Sequence, residues 1–384
     1  MKKPTIVCMY IAFSSGHKTA SDAIMNSIGH LYPETNTVGI DSVEYVFPVI
    51  GDMISVTYLG FIRALPQIWE YMYDNPGVVE ATKELRHFAN ATNIWKMKRM
   101  LKKYNPDAVV CTQAAPAHVI ASGKRKKKLD VPLFAVVTDY AVHAYWIQRG
   151  IDYYIVANEY SKRQLIENGV RKDSIYIFGI PIDRKFKKHV EKPEARKRLG
   201  LDSEITTVLV LGGGQGLGSI EETVYMLGQI PDKFQIVVVT GYNKRLRKRL
   251  EKFSEHCPKL LKPLGYVHNM SAVMDASDMV VTKPGGVTTA ECLIKGLPMV
   301  VFEPIPGQET RNARYLMHHD AALIADGIDG LYHVVRQLVK HPGKREEMSK
   351  RALAIARPNA SEDIARLVME KIKAGNMSDG SRRL

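Results

Sequence analysis

The chain has 384 residues, 45% apolar and 24% charged, with a formal net charge of +14 at pH 7 and a pI near 9.4. This is globular usage, long enough for two or three domains that each bury a core, and it argues against a disordered or fibrous chain. Four cysteines without a C-x-x-C pair argue against a disulfide framework and a structural zinc site and suit a reducing cytoplasm, while the positive charge favours anionic partners.

The opening MKKPTIVCMYIAF sets two lysines before an apolar run, as a signal peptide would. Pro4 follows directly, the run is short and no small-residue cleavage site appears, so 5–13 reads as a first buried strand. Ser-Ser-Gly-His then interrupts the run, and an amphipathic pattern predicts a helix from about Ala20. A second strand is predicted over 37–43. The segment 51–75, GDMISVTYLGFIRALPQIWEYMYDN, breaks the pattern. It is either a helical core or an excursion that presents Trp69, Tyr71, Met72 and Tyr73 to a membrane or acceptor. Further strands are predicted over 107–113, 132–139, 152–158 and 174–180. After Pro181 the chain turns basic and polar and reads as a linker. Strands then resume over 206–214, 234–241, 261–267, 278–286 and 298–304. No stretch approaches the roughly 20 apolar residues of a membrane-spanning helix.

Continuous apolar strands separated by helices predict parallel sheets covered on both faces. Two such series predict an α/β protein of two doubly wound domains facing across a cleft, over 1–184 and 185–356. In the remainder, 357–384, a cap at Asn359 or Ser361 leads into a helix with Ile364, Leu367, Val368 and Ile372 on one face. That helix is expected to pack back on the N-terminal domain, with the last nine residues disordered.

The charge is clustered in KMKRMLKK (96–103), KRKKK (124–128) and KRLRKR (244–249). One such cluster can be a solvated helix face; three favour contact with a polyanionic surface. No RNA-binding, zinc-finger or helix-turn-helix signature accompanies them, so no nucleic-acid partner is expected.

Three strand-to-helix junctions of the second half carry glycine and polar residues. GGGQGLG (212–218) packs five glycines into seven residues after a buried strand, a loop that lets backbone N–H groups approach an anion. It gives no G-x-G-x-x-G frame, and Ser219 stands where a P-loop needs lysine, which weakens hydride transfer and ATP hydrolysis as readings. VVTKPGGVTTAE (280–291) sets Lys283 beside Gly285 and Gly286. Glu291 follows, either complementing the helix dipole or accepting the hydroxyls of a ribose. PIPGQETRNA (304–313) carries Gln308, Glu309 and Asn312 on a proline-stiffened loop. Three such loops at strand ends of one sheet point to a ligand crevice.

Together with GYVHNM, and with SSGHKTAS, VVTDYAVHAYW and VANEYSKRQLIENGV…FGIPID in the first half, these stretches resemble the monogalactosyl- and glucosyl-diacylglycerol synthases. These are GT-B glycosyltransferases related to the lipid-II-forming N-acetylglucosaminyltransferase. The resemblance keeps its order over nearly the whole chain. It implies a GT-B fold of two Rossmann-like domains, with no cofactor and no metal. The reaction it implies is inverting transfer of a hexose from a UDP-sugar co-substrate to diacylglycerol or a glycosyl-diacylglycerol. The enzyme is then a peripheral one on the anionic, cytoplasmic face of the cell membrane.

By the same resemblance, Gly212, Gly213, Gly214, Gln215 and Gly216 lie under the diphosphate and Val267 reads the uracil through its backbone. Gly285, Gly286 and Thr288 touch phosphate, with Lys283 at the rim; Glu291 holds the ribose, and Gln308 and Glu309 hold the hexose. His17 matches the catalytic base, with Asp139 as rival base or as the residue that orients it. Gly16, His143 and Trp146 fall on the acceptor side. Ser14 and Ser15 replace glycines usual in the family and narrow that pocket. Other readings of the same residues are a transferase with a different lipid or a soluble acceptor and UDP-N-acetylglucosamine, a UDP-sugar epimerase, and a UDP-sugar sensor with weak turnover. Only a transferase releases UDP in an acceptor-dependent way.

Overall fold

A computed structural model describes residues 3–12, 15–46, 95–213 and 219–380. The aromatic segment 51–75 lies outside them. The chain forms two compact units. The first is Met1–Arg184 with Pro306–Gln308 and Asn359–Leu384; the second is Lys185–Ile305 with Glu309–Pro358.

In the first unit β1 (Thr5–Tyr10), β2 (Asn36–Asp41), β3 (Ala108–Cys111), β4 (Leu133–Val136), β5 (Tyr153–Val156) and β6 (Ile175–Ile177) form a six-stranded sheet in the order β2-β1-β3-β4-β5-β6. All its neighbours are parallel. Strand periodicity splits β1 between two cores. Val7 and Met9 face one, with Val109, Leu133 and Trp146; Ile6 and Cys8 face the other, with Ile24, Ile28 and Phe134. Helix α1 (Ser15–Leu31) starts earlier than its amphipathic pattern suggests, because Ser15–Gly16–His17 is already helical although it contributes no core residue.

The C-terminal helix Ala360–Gly380 lays Ile364, Val368 and Ile372 on the β1 face occupied by Ile6 and Cys8. Ser361 Oγ donates to the Ile182 carbonyl at 2.5 Å and Arg184 Nε to Glu362 Oε1 at 3.0 Å, which fixes its first turn. The helix continues to Gly380, so the expectation of a disordered run from residue 376 is corrected over 376–380.

The second unit holds β7 (Thr207–Leu211), β8 (Gln235–Val239), β9 (Leu261–Leu264), β10 (Met279–Thr282), β11 (Met299–Phe302) and β12 (Ala322–Ala325). Its sheet is again all parallel, in the order β12-β11-β10-β7-β8-β9. The edge strand β12 has no counterpart in the sequence reading. It is four residues long, with Leu323 half-buried and Ile324 exposed, as its place at the sheet edge allows. The stretch read as a linker contains the helix Lys192–Leu199. Its Arg196 is buried, donating to the Ala276 and Ser203 carbonyls at 3.1 and 2.6 Å and to Asp278 Oδ2 at 2.5 Å. A buried charged side chain bonded in this way helps hold the segment in place beside buried Ala195 and Leu201.

Candidate functional site

In an open parallel sheet, ligands bind beyond the carboxyl ends of the strands where the strand order reverses. The first sheet reverses between β1 and β3, and the second between β7 and β10. Candidate residues gather at both points, while Val267 is set apart past the edge strand β9.

At the first, His17 sits inside the opening turn of α1 and is therefore not its cap. The Thr112 hydroxyl, just past β3, donates to the His17 carbonyl at 2.8 Å, and the Thr112 amide donates to the Met9 carbonyl at 3.0 Å. The switch point is thus tied to both strands that flank it. His17 Nδ1 lies 3.0 Å from Thr138 Oγ1, a buried hydroxyl just past β4. Part of His17 reaches solvent, yet its ring is packed deeply enough that desolvation pulls its pKa down to about 4, opposed by a hydrogen bond between the ring and the Thr112 backbone. The imidazole is neutral at physiological pH. When Nδ1–H donates to Thr138, the Nε2 lone pair is left to accept a proton.

The sequence leaves Asp139 as rival base or as the residue that orients the histidine; its neighbour Thr138 meets the ring. Neither threonine stands out in the sequence, although each lies within two residues of the carboxyl end of a buried strand, in VVCT and VVTD. Asp139 is half-buried and accepts from Gln308 Nε2 at 3.0 Å within the first unit. Gly16 is half-buried beside His17. His143 is buried, its Nδ1 accepting from the Tyr145 amide at 3.2 Å and its ring stacked on Tyr145. Trp146 is buried in the core with Val142 and Leu165. The structure therefore gives these two capping and packing roles that shape the loop. The loop is held by Asn158 Nδ2 and Ser161 Oγ, which donate to the Tyr140 carbonyl at 2.9 and 3.0 Å.

In the second unit, Gly212 follows β7, and Gly213 turns the chain with φ +67, a left-handed conformation that favours glycine. Gly214, Gln215 and Gly216 lie outside the described residues. The helix after this loop, Ile220–Gln229, is preceded by Ser219, whose amide and hydroxyl donate to Glu303 at 3.2 and 2.8 Å. Glu303, at φ +46, was not singled out from sequence.

Across the switch point, β10 leads through half-buried Lys283 to Gly285, the N-cap of the helix Gly286–Ile294, with Thr288 in its first turn. Glu291 falls beyond the first turn, which removes the helix-dipole role weighed for it. Asn312, fully buried on the helix Gln308–His318, donates to the Pro284 carbonyl at 3.0 Å. Glu309 accepts from the Ile305 amide at 2.6 Å, and its Oε1 lies 3.9 Å from where a Cβ on Gly285 would stand. Lys283, Gly285, Gly286 and Glu309 are thereby brought together at neighbouring strand ends. Val267 is farther along, past the edge strand β9, and half-buried.

Residues 17–182 match the monogalactosyldiacylglycerol (MGDG) synthase family, and residues 207–367 match the glycosyltransferase family 28 C-terminal domain. The processive diacylglycerol beta-glucosyltransferase of Bacillus pumilus is 27% identical over 345 residues, which cover 90% of this chain and 86% of the relative. Among solved structures, Acinetobacter baumannii MurG has a TM-score of 0.65 at 14% identity, with 96% of this chain and 99% of that one covered. Anabaena HepE in complex with UDP-glucose has a TM-score of 0.56 at 14% identity, over 97% and 99% of the two chains. These two likenesses establish the fold, which is GT-B, with two Rossmann-like units. Fold and family matches together define a glycosyltransferase. More particularly, the chain carries an MGDG synthase domain followed by a glycosyltransferase family 28 C-terminal domain.

Proposed function

We propose that the protein transfers a hexose from a UDP-sugar to the hydroxyl of diacylglycerol, or of a glycosyl-diacylglycerol, with inversion and without a metal ion, as a peripheral enzyme on the anionic cytoplasmic face of the membrane. The observation that carries the chemistry is the neutral His17 held through Nδ1 at the first switch point. The printed names of the relatives support diacylglycerol as acceptor and glucose as the hexose, and the family 28 domain supports a UDP-sugar donor. Among the described residues no helix is long and apolar enough to cross a membrane.

In this reading the acceptor oxygen attacks C1 of the sugar from the face opposite UDP. Its proton passes to His17 Nε2 as the bond from C1 to the UDP oxygen breaks. An alcohol is too weak an acid to ionise at pH 7, so the base must act as the new bond forms. UDP leaves with added negative charge, which Lys283 and the amides at the start of Gly286–Ile294 offset. Glu291 takes the ribose hydroxyls, Val267 the uracil, and Gln308 with Glu309 the hexose. Gly212–Gly218 lies under the diphosphate, with Gly285, Gly286 and Thr288 beside it.

The test is His17→Ala. Loss of a general base lowers kcat by about 10²–10⁴, and UDP affinity measured by calorimetry is expected to stay within about twofold. Near-wild-type turnover would remove His17 from the mechanism. UDP release that does not depend on acceptor would indicate epimerisation or hydrolysis instead.

A further inference from the structure

The helix Lys244–Ser254 in the second unit buries Leu246 and Leu250 in the core and is capped by Asn243 Oδ1, which accepts from the Leu246 amide at 3.0 Å. Its outer face exposes Lys244, Arg245, Arg247, Lys248, Arg249 and Lys252. Two of these are paired, Arg247 with Glu251 and Arg249 with Glu221, each at 2.7 Å. Lys244, Arg245, Lys248 and Lys252 have no carboxylate partner among the described residues.

Folding does not call for this arrangement. Lys244 and Arg245 stand at the positive end of the helix dipole, in a first turn without an acidic residue. Lys244 with Lys248, and Lys248 with Lys252, are like charges one turn apart, which oppose the helix. Positive charge kept at a cost to the element that carries it is explained by an anionic surface outside the protein.

Two aromatic side chains adjoin this face. Tyr242 is 62% exposed and Tyr266 49% exposed, and their rings stack at 4.4 Å and 15°. A Cβ on Gly265 would stand 3.1 Å from Arg247 Nη1, so the tyrosine-bearing loop and the helix are in contact. Phenol rings flanked by cations suit the headgroup layer of a bilayer. Single-stranded nucleic acid also uses aromatic platforms, but it needs open ring faces, and here the facing sides are spent on each other.

We infer that the outer face of Lys244–Ser254, with Tyr242 and Tyr266 at its edge, is a docking surface for anionic lipid carried by the UDP-sugar-binding half. It deepens the membrane reading of the preceding section and rests on it. The helix spans about 16 Å and contributes charge without an inserted apolar face, so the contact weakens with salt.

The experiment uses the full chain with vesicles of phosphatidylcholine alone or with phosphatidylglycerol, read by co-sedimentation. The variant is K244Q/R245Q/K248Q/K252Q, which touches no residue assigned to the reaction. Each cation near an anionic surface is worth about fivefold in binding. The variant is therefore expected to bind phosphatidylglycerol vesicles at least tenfold more weakly. Its transfer to diacylglycerol in neutral detergent micelles is expected to be unchanged. Wild-type-like vesicle binding by the variant would overturn the assignment, as would wild-type binding to poly(U) in preference to vesicles. A wild-type enzyme that makes no glycolipid in micelles would fail the proposed function itself, a separate result from loss of vesicle binding.

Discussion

In the proposed reaction, a base that is neutral at working pH must also present the correct nitrogen, and at the residue scale this task falls to Thr138. Its hydroxyl lies 3.0 Å from His17 Nδ1. Accepting the Nδ1 proton leaves Nε2 unprotonated, and the same bond persists when Nε2 is protonated, now with a charged donor. Thr138→Val removes the acceptor while keeping the shape, and kcat is expected to fall about tenfold at unchanged KM, on the scale of a hydrogen bond to a charged group. Thr138→Ser is expected to restore most of it, and a valine variant with wild-type kcat would show that the contact is only packing. The pH profile adds a check. The pKa of His17 is depressed, so in the proposed reaction the base is competent above it, and activity is expected to fall only as pH drops towards about 4. The acid limb of kcat/KM is expected well below the ordinary histidine value of 6.5, and to move upward in Thr138→Val if loosening rehydrates the ring.

At the element scale, the second site is a set of loops held by buried polar side chains, not by the glycines alone. Asn312 reaches from the helix Gln308–His318 to the Pro284 carbonyl and so aligns two junctions. Asn312→Ala leaves a buried carbonyl short of a partner, which costs about 1–3 kcal/mol. Thermal unfolding is expected at lower temperature, with a raised KM for the UDP-sugar; an unchanged KM would mean the two loops are set independently. Legibility in the sequence divides along similar lines. Strands of continuous Val, Ile and Leu, such as TVLVL and QIVVV, could be read directly because both faces are buried. The strand ALIA could not, because it lies at an edge and is partly exposed. The helix Lys192–Leu199 was hidden because a buried arginine, not an apolar stripe, anchors it. Thr112, Thr138 and Glu303 were hidden because their roles depend on partners 95, 121 and 84 residues away in sequence.

At the scale of the whole molecule, two parallel sheets were legible from the repeated strand–helix alternation, and the glycine-bearing loops at strand ends of the second from their composition. What had to come from the structure was how the charge is deployed. A net charge of +14 indicates an anionic partner but not which face meets it. On the helix Lys244–Ser254, Arg247 and Arg249 are neutralised while, among the described residues, Lys244, Arg245, Lys248 and Lys252 are not.

Product analysis by mass spectrometry tests the proposed reaction most directly. The purified protein would be given diacylglycerol in vesicles containing phosphatidylglycerol, with UDP-glucose, UDP-galactose or UDP-N-acetylglucosamine in turn. The account predicts hexosyl-diacylglycerol from a single donor, with stoichiometric UDP. Intact UDP-sugar binding with no glycolipid from any donor would contradict it.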